Sequence, residues 1–286
     1  MGKEFYDKSP SARELWDEAE DIMGGKLREK VFSGPADELQ QTDVTQPAVY
    51  ITEIMILKEV VKAGLKASGA AGHSLGEYAA AVAAGAMDWQ TGLELVKKRG
   101  EIFQRESEKN PGGMIAAIGI GENELKEILR GFKGVAEIVN YNCPGQLVVS
   151  TEKSIFYDVL EALGKKAKMA VELKVSGAFH SSLMNDAAGE MKKVIEEADI
   201  REAQMPFYVN FSAEKASGAD EVKNALARQV NSPVRWIGIV DNISRDLEGP
   251  EFYEIGPGNT LRGILRRIDR KLKVKNIAKP SDLENS

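Results

Sequence analysis

A chain of 286 residues is long enough to bury a sizeable core, as one large domain or as a large domain carrying a smaller one. A net charge of −6, with 29% of residues charged, gives no general attraction to nucleic acid, so no nucleic-acid partner is expected. The single cysteine, Cys143, excludes an internal disulfide and a cysteine-rich zinc site, and it suits a reducing cytoplasm.

The opening residues, Met-Gly-Lys-Glu-Phe-Tyr-Asp, are polar and read as the approach to a helix rather than as a secretory leader. Ser9 is expected to cap that helix, with Pro10 at its first position and Leu15, Trp16, Ala19, Ile22 and Met23 along one face. After a polar loop, a second helical pattern starts at Gln46-Pro47-Ala48 and runs through Ile51, Ile54, Met55, Leu57 and Val60 to Gly64. A short strand then leads into Gly72. The most apolar stretches, residues 48–57 and 79–87, fall short of the roughly 20 residues that a bilayer span needs, and no membrane association is expected.

From residue 114 the pattern changes. Residues 114–119 read as a strand, 122–131 as a helix, 135–141 and 146–150 as strands, 154–165 as a helix and 169–175 as a strand. This βαββαβ order is the ferredoxin-like unit, and it predicts a small subdomain over residues 111–176 inserted into a large one formed by residues 1–110 and 177–286. The remainder alternates again: a strand at 207–212, a helix at 220–230, a strand at 252–255 and a final helix from Asn259. Alternation of this kind predicts a mostly parallel sheet covered by helices.

The run Gly72-His73-Ser74-Leu75-Gly76, between that short strand and a helix rich in small residues, fits a nucleophile elbow. Its glycines let the backbone turn sharply and leave the serine hydroxyl exposed above the sheet. A chance turn is the other reading, because the five-residue pattern is common and residues 68–71 have little strand propensity. A serine nucleophile needs a base within hydrogen-bond reach, and the chain has two histidines. His73 is adjacent to Ser74, and successive side chains at a tight turn point apart. By elimination the base is His180, in Ser176-Gly177-Ala178-Phe179-His180-Ser181, where the small subdomain ends.

Arg99 adds a clue of another kind. On the helix that starts near Asp88, the residues Glu94, Lys97, Lys98, Glu101 and Arg105 gather on one side, whereas Arg99 falls among Leu93, Leu95, Val96, Ile102 and Phe103. An inward guanidinium is costly unless an anion meets it. A structural salt bridge and a substrate carboxylate held by the two-pronged guanidinium both satisfy that requirement. Cys143 reads as a loop or core thiol. The basic stretch with Arg262, Arg266, Arg267, Arg270, Lys271, Lys273 and Lys275 reads as a solvated helix face. Two histidines and one cysteine predict no metal site, and no cofactor is expected.

Several runs, taken in order, carry a resemblance: Thr45-Gln46-Pro47-Ala48, Ala71-Gly72-His73-Ser74-Leu75-Gly76-Glu77-Tyr78, Arg99, Asn140-Tyr141-Asn142-Cys143-Pro144-Gly145-Gln146, Gly177-Ala178-Phe179-His180-Ser181 and Gln229-Val230-Asn231-Ser232-Pro233-Val234. Their order and spacing over residues 1–270 resemble the malonyl-CoA:acyl carrier protein transacylase family. The resemblance implies an α/β-hydrolase-like large subdomain with a ferredoxin-like insertion. It also implies that Ser74 attacks the malonyl thioester with His180 as general base, oriented by the backbone carbonyl of Gln229. Arg99, supported by Gln46, would bind the malonyl carboxylate, and the Leu75 N–H would serve the oxyanion. Malonyl-CoA and holo acyl carrier protein would be the partners of a monomeric cytoplasmic enzyme of fatty-acid synthesis. Phe179, one residue before the histidine, is similar to malonyl-selective members.

The family pattern opens with a β-strand ending in a Pro-Gly-Gln-Gly turn, whose glutamine N–H is the second oxyanion donor. This sequence opens at the Met-Gly-Lys-Glu-Phe-Tyr that follows it, so that strand and that donor are expected to be absent. Loss of one such donor costs about 10² to 10³ in rate. Four alternatives therefore stand beside the leading expectation: a start assigned too late, a crippled truncated form, a polyketide-pathway acyltransferase, and a serine thioesterase or esterase.

Overall fold

The computed structural model describes residues 1–35 and 38–284. Helices α1 (Lys3–Lys8), α2 (Pro10–Met23) and α3 (Leu27–Ser33) open the chain and lead to the long α4 (Thr42–Lys62). The elbow region follows, with β1 (Ala70–Ala71), α5 (Gly76–Ala83) and α6 (Trp89–Lys109). The βαββαβ segment comprises β2 (Gly112–Ile118), α7 (Glu122–Arg130), β3 (Ala136–Cys143), β4 (Gln146–Glu152), α8 (Phe156–Lys166) and β5 (Met169–Glu172). The chain then continues through α9 (Asn185–Glu197), β6 (Phe207–Tyr208), β7 (Lys215–Ala216), α10 (Ala219–Gln229) and α11 (Trp236–Asp246). It closes with β8 (Glu251–Ile255), α12 (Thr260–Ile268), β9 (Lys273–Ile277) and α13 (Pro280–Leu283).

Local chemistry explains most of these boundaries. Asp88 caps α6 by accepting the Thr91 N–H at 2.8 Å, and Gly24, at φ 78°, ends α2 in the left-handed conformation that glycine adopts without strain. Ser9 sits at the cap position of α2, but its hydroxyl donates instead to Glu59 of α4 at 2.6 Å. The capping expected of it has become a contact between helices. Helix α4 starts four residues before Gln46 and carries Pro47 inside it. Its interior is apolar almost all round, which a surface helix would not tolerate, and it lies in the middle of the largest core cluster with Ile51, Ile54, Met55 and Ile56 buried.

Among the described residues the strands form three sheets. In the βαββαβ segment the order is β3-β4-β2-β5, antiparallel throughout, as the ferredoxin-like pattern requires. The two faces of β2 separate by alternation. Ile115 and Ala117 pack with Leu125, Val159 and Leu163 of the covering helices, whereas Met114 and Ala116 join Val139, Val148 and Phe179 on the other face. That second cluster fixes the backbone beside His180. In the rest of the chain β1 pairs parallel with β6, β6 antiparallel with β7, and β8 parallel with β9. Strands β1 and β8 each have one partner among the described residues.

The two parts are joined by more than the chain crossing between them. Val234 bridges β3 at Asn140, with Tyr141 N–H donating to the Val234 carbonyl at 2.9 Å and Val234 N–H to the Val139 carbonyl at 2.8 Å. The C-terminal region departs from the sequence expectation. Helix α12 ends at Ile268, and the basic residues Lys273 and Lys275 belong to β9 rather than to a continuing helix face. Asp269 has left the helix at φ −145°, and Lys-Val-Lys-Asn-Ile thereafter alternates with period 2. The expected strand at 207–212 shrinks to Phe207–Tyr208, because Asn210 turns its backbone N–H to Glu77.

Candidate active site

Ser74 lies between β1 and α5 with φ 52°, a left-handed conformation that costs a non-glycine residue roughly 1–2 kcal/mol. Two features hold it there. A Cβ on Gly72 would come within 1.9 Å of the Gly76 carbonyl oxygen, so only glycine permits this tight a turn. The side-chain amide of Asn210 then spans the elbow, accepting the Ser74 N–H at 2.7 Å and donating to the Gly72 carbonyl at 2.7 Å.

The His180 loop approaches from the other part of the chain. Gly177 packs against α6 so closely that a Cβ would sit 2.1 Å from the Ser107 hydroxyl, and Ser150 of β4 donates to the Phe179 carbonyl at 2.6 Å. His180 is itself left-handed, at φ 63°, and buried. Its Nε2 lies 2.7 Å from Ser74 Oγ and its Nδ1 lies 2.8 Å from the Gln229 carbonyl oxygen. That carbonyl only accepts, so Nδ1 carries the proton and Nε2 is the free acceptor facing the serine hydroxyl. Burial pushes the imidazole pKa down to about 3, and the Arg99 charge adds to the effect. The ring is neutral at physiological pH, the state in which it can take a proton.

Arg99 enters from α6, on the inward side that periodicity gives it, and is 2% exposed. Its guanidinium donates to Gln46 Oε1 at 2.5 Å, to Gln229 Oε1 at 3.0 Å and, more weakly, to Ser74 Oγ at 3.4 Å. Its Cζ stands 4.1 Å from the Phe103 ring centroid and 5.8 Å from that of Tyr78, which fixes the plane of the cation. Every oxygen that meets this cation is neutral. Phe103 in turn packs on Phe179 with ring centroids 5.1 Å apart. Leu75 immediately precedes α5, at the positive end of the helix, and no backbone carbonyl among the described residues takes its N–H.

The six residues singled out from sequence thus converge: Ser74, His180, Arg99, Gln46 and Gln229 through hydrogen bonds, and Leu75 by adjacency. Sequence reasoning missed Asn210 and Glu77. Asn210 is an isolated polar residue in an otherwise apolar run, Phe207-Tyr208-Val209-Asn210-Phe211, and Glu77 follows the elbow directly. Both are fully buried. His73 turns away from Ser74 to pair Nε2 with Asn142 Oδ1 at 2.8 Å, and its ring lies 5.5 Å from that of Trp236. Cys143 is buried, and burial raises its thiol pKa. Among the described residues, no three His, Cys, Asp or Glu side chains gather in a way that could hold a metal ion.

A hydroxyl on a strained turn, a neutral imidazole oriented by a carbonyl, and an inward cation hydrogen-bonded by neutral oxygens stand together here, an arrangement whose chemistry suits acyl transfer. A family model for the acyl transferase domain matches residues 1–278. The malonyl CoA-acyl carrier protein transacylase of Bacillus subtilis is 37% identical over 99% of this chain and 90% of its own length, and the chain belongs to the malonyl-CoA:acyl carrier protein transacylase family. Similarity extends to the polyketide biosynthesis malonyl CoA-acyl carrier protein transacylase PksC of B. subtilis, 35% identical over 94% of this chain and 92% of that protein. Among solved structures, the acyl-carrier-protein-S-malonyltransferase from Bartonella henselae superposes with a TM-score of 0.94 at 33% identity, covering 100% of this chain and 93% of that one. A type II polyketide-synthase malonyl-transacylase, solved with its acyl-carrier protein, gives a TM-score of 0.93 at 33% identity over 100% and 95% of the two chains. Among the described residues no helix is long and apolar enough to cross a membrane.

Proposed function

We propose that this chain transfers the malonyl group from malonyl-CoA to the phosphopantetheine thiol of acyl carrier protein, through a malonyl ester of Ser74. The observation that carries the reading is the position of Ser74 Oγ, 2.7 Å from a base and 3.4 Å from an unmatched cation. A thioester with a carboxylate one methylene beyond its carbonyl is the ligand that uses both neighbours at once.

In the first half-reaction, Ser74 Oγ attacks the thioester carbonyl while His180 Nε2 takes the hydroxyl proton. The oxyanion forms beside the Leu75 N–H, and the CoA thiol leaves with the proton that His180 returns. In the second, the pantetheine thiol attacks the ester and Ser74 recovers its proton. Arg99 holds the carboxylate throughout, with Gln46 fixing the other edge of the guanidinium. An uncharged acyl group leaves that buried cation unmatched, which supplies selectivity by penalty. Phe179, packed on Phe103 beside the base, supports malonyl over a branched malonyl group.

We place the reaction in fatty-acid synthesis, in the cytoplasm, with a monomeric enzyme. Residues 1–110 and 177–286 serve as the large subdomain and 111–176 as the small one, residues 36, 37, 285 and 286 lying outside those described. A polyketide carrier protein as acceptor is the second reading, favoured by the similarity to PksC. Incubation with malonyl-CoA and holo acyl carrier proteins of both pathways, followed by mass analysis, tests it. Malonylation of the fatty-acid carrier protein is expected. Malonylation of the polyketide carrier protein alone supports the second reading, and release of free malonate without transfer makes the chain a thioesterase.

A further inference from the structure

We infer that Glu77 is a positioning residue, which acts through Asn210 and the side chain of Gln229 to hold the nucleophile elbow and the inward arginine in one register. This inference rests on the proposal that Ser74 is the nucleophile. Glu77 is fully buried in the first turn of α5. A carboxyl there is costly unless each oxygen is bonded, and each one is. Oε1 accepts the Asn210 backbone N–H at 2.8 Å, and Oε2 accepts from Gln229 Nε2.

Those two partners are the residues whose side chains grip the backbone of Ser74. Asn210 Oδ1 takes the Ser74 N–H at 2.7 Å, and Gln229 Nε2 donates to the Ser74 carbonyl at 2.8 Å. The carboxyl therefore braces the strained turn from both sides, across sequence separations of 133 and 152 residues.

Glu77 also sets the polarity of the Gln229 amide. Glu77 Oε2 accepts, so it draws the NH2 group of Gln229 to itself and leaves Oε1 to face Arg99 at 3.0 Å. With the amide flipped, NH2 would meet guanidinium N–H, donor against donor. Burial outweighs the lowering effects of the two N–H bonds and the Arg99 charge and leaves the Glu77 pKa at about 8, so the carboxyl is mostly protonated at neutral pH, and the geometry asks only that both of its oxygens accept. Glutamine at position 77 would keep the shape but offer one acceptor and one donor to two donors, and so release the Gln229 amide.

The test uses the full chain with Glu77→Gln and Asn210→Ala. It compares kcat/KM for malonyl and acetyl transfer with the rate at which phenylmethylsulfonyl fluoride sulfonylates Ser74. In that reaction Oγ bonds to sulfur, fluoride leaves and His180 takes the proton, so neither malonyl nor a contact of Arg99 with its carboxylate is involved. For Glu77→Gln, the malonyl-to-acetyl preference and the sulfonylation rate are both expected to fall, each by about tenfold. For Asn210→Ala, which touches only the elbow, sulfonylation and both transfers should slow together with the preference unchanged. A merely structural role would lower all rates alike in Glu77→Gln, and that result overturns the inference. So does sulfonylation within about twofold of the parent in either variant, or loss of the cooperative melt in both. A parent that reacts with the sulfonyl fluoride but transfers no malonyl refutes the proposed function alone.

Discussion

His180 Nδ1 meets the backbone carbonyl of Gln229 at 2.8 Å, and in the proposed mechanism that contact takes the place of an acidic third residue behind the base. A carbonyl orients the ring and selects its tautomer without adding a full negative charge. The imidazolium formed during reaction is correspondingly less stabilised, in a site that already contains the Arg99 cation. Burial, with the Arg99 charge adding to it, holds the resting ring neutral against the opposing pull of that carbonyl.

The pH dependence follows with a definite sign. With the His180 pKa pushed down to about 3, sulfonylation of Ser74 by an uncharged reagent should stay level from pH 8 to pH 5. An inflection near 6.5 would contradict the burial argument. The unfolded chain takes up the proton below about 6.5 and the native one does not. Stability should therefore rise with pH between about 3 and 6.5 and be lost as pH falls through that window. Thermal melts of the parent and of His180→Gln measure this, the variant giving the flatter slope.

Glu53 of α4 should act in the opposite sense. Its Oε2 is buried without a partner, and burial raises its pKa to about 8. The native state holds that proton where the unfolded state has released it. Its stability contribution is complete below about 4.5, the ordinary value, and is lost as pH rises to about 8. Glu53→Gln should melt at a temperature that changes less between pH 5 and pH 8 than that of the parent. An equal slope would show that the carboxyl is solvated.

Removal of the Arg99 cation should divide substrates rather than lower all rates equally. Arg99→Ala is expected to cut kcat/KM for malonyl transfer by on the order of 10² to 10³, while transfer of an uncharged acyl group is spared or improved. Arg99→Lys should fall between, because a lysine keeps the charge but cannot bond Gln46 and a carboxylate as a planar fork does. Steady-state kinetics with malonyl-CoA and acetyl-CoA separate the cases, and unchanged malonyl transfer in Arg99→Ala would remove the carboxylate role.

The two glycines of the elbow should differ. Gly72→Ala drives a methyl group into the Gly76 carbonyl and is expected to destabilise by about 3 kcal/mol with loss of activity. At Gly76, where the nearest atom to an added Cβ is 3.9 Å away, alanine should be tolerated. Denaturant unfolding of both variants provides the comparison.

These contrasts also indicate what was legible in the sequence. The elbow is local, written in five consecutive residues whose backbone demands only glycine meets at Gly72. Arg99 is legible because helical periodicity separates an inward cation from its charged neighbours, and His180 because the chain offers a single alternative. The local marks of Glu77 and Asn210, a carboxyl just after the elbow and a lone amide in an apolar run, do not reveal what the two residues bond. Their importance lies in hydrogen bonds between residues more than 130 positions apart, and a carboxyl facing amides leaves no charge pattern. Strand β9 was obscured for another reason. Its period-2 alternation spans five residues of mostly basic composition next to a true helix, so the charges read as a continuation of that helix face.

The most direct measurement is of the covalent intermediate. The purified chain is mixed with radiolabelled malonyl-CoA, quenched in acid and digested, with Ser74→Ala treated in parallel. One label per chain is expected on the peptide containing Ser74, lost on addition of holo acyl carrier protein and absent from the variant. Label on another residue, or equal labelling of Ser74→Ala, would contradict acyl transfer through this serine.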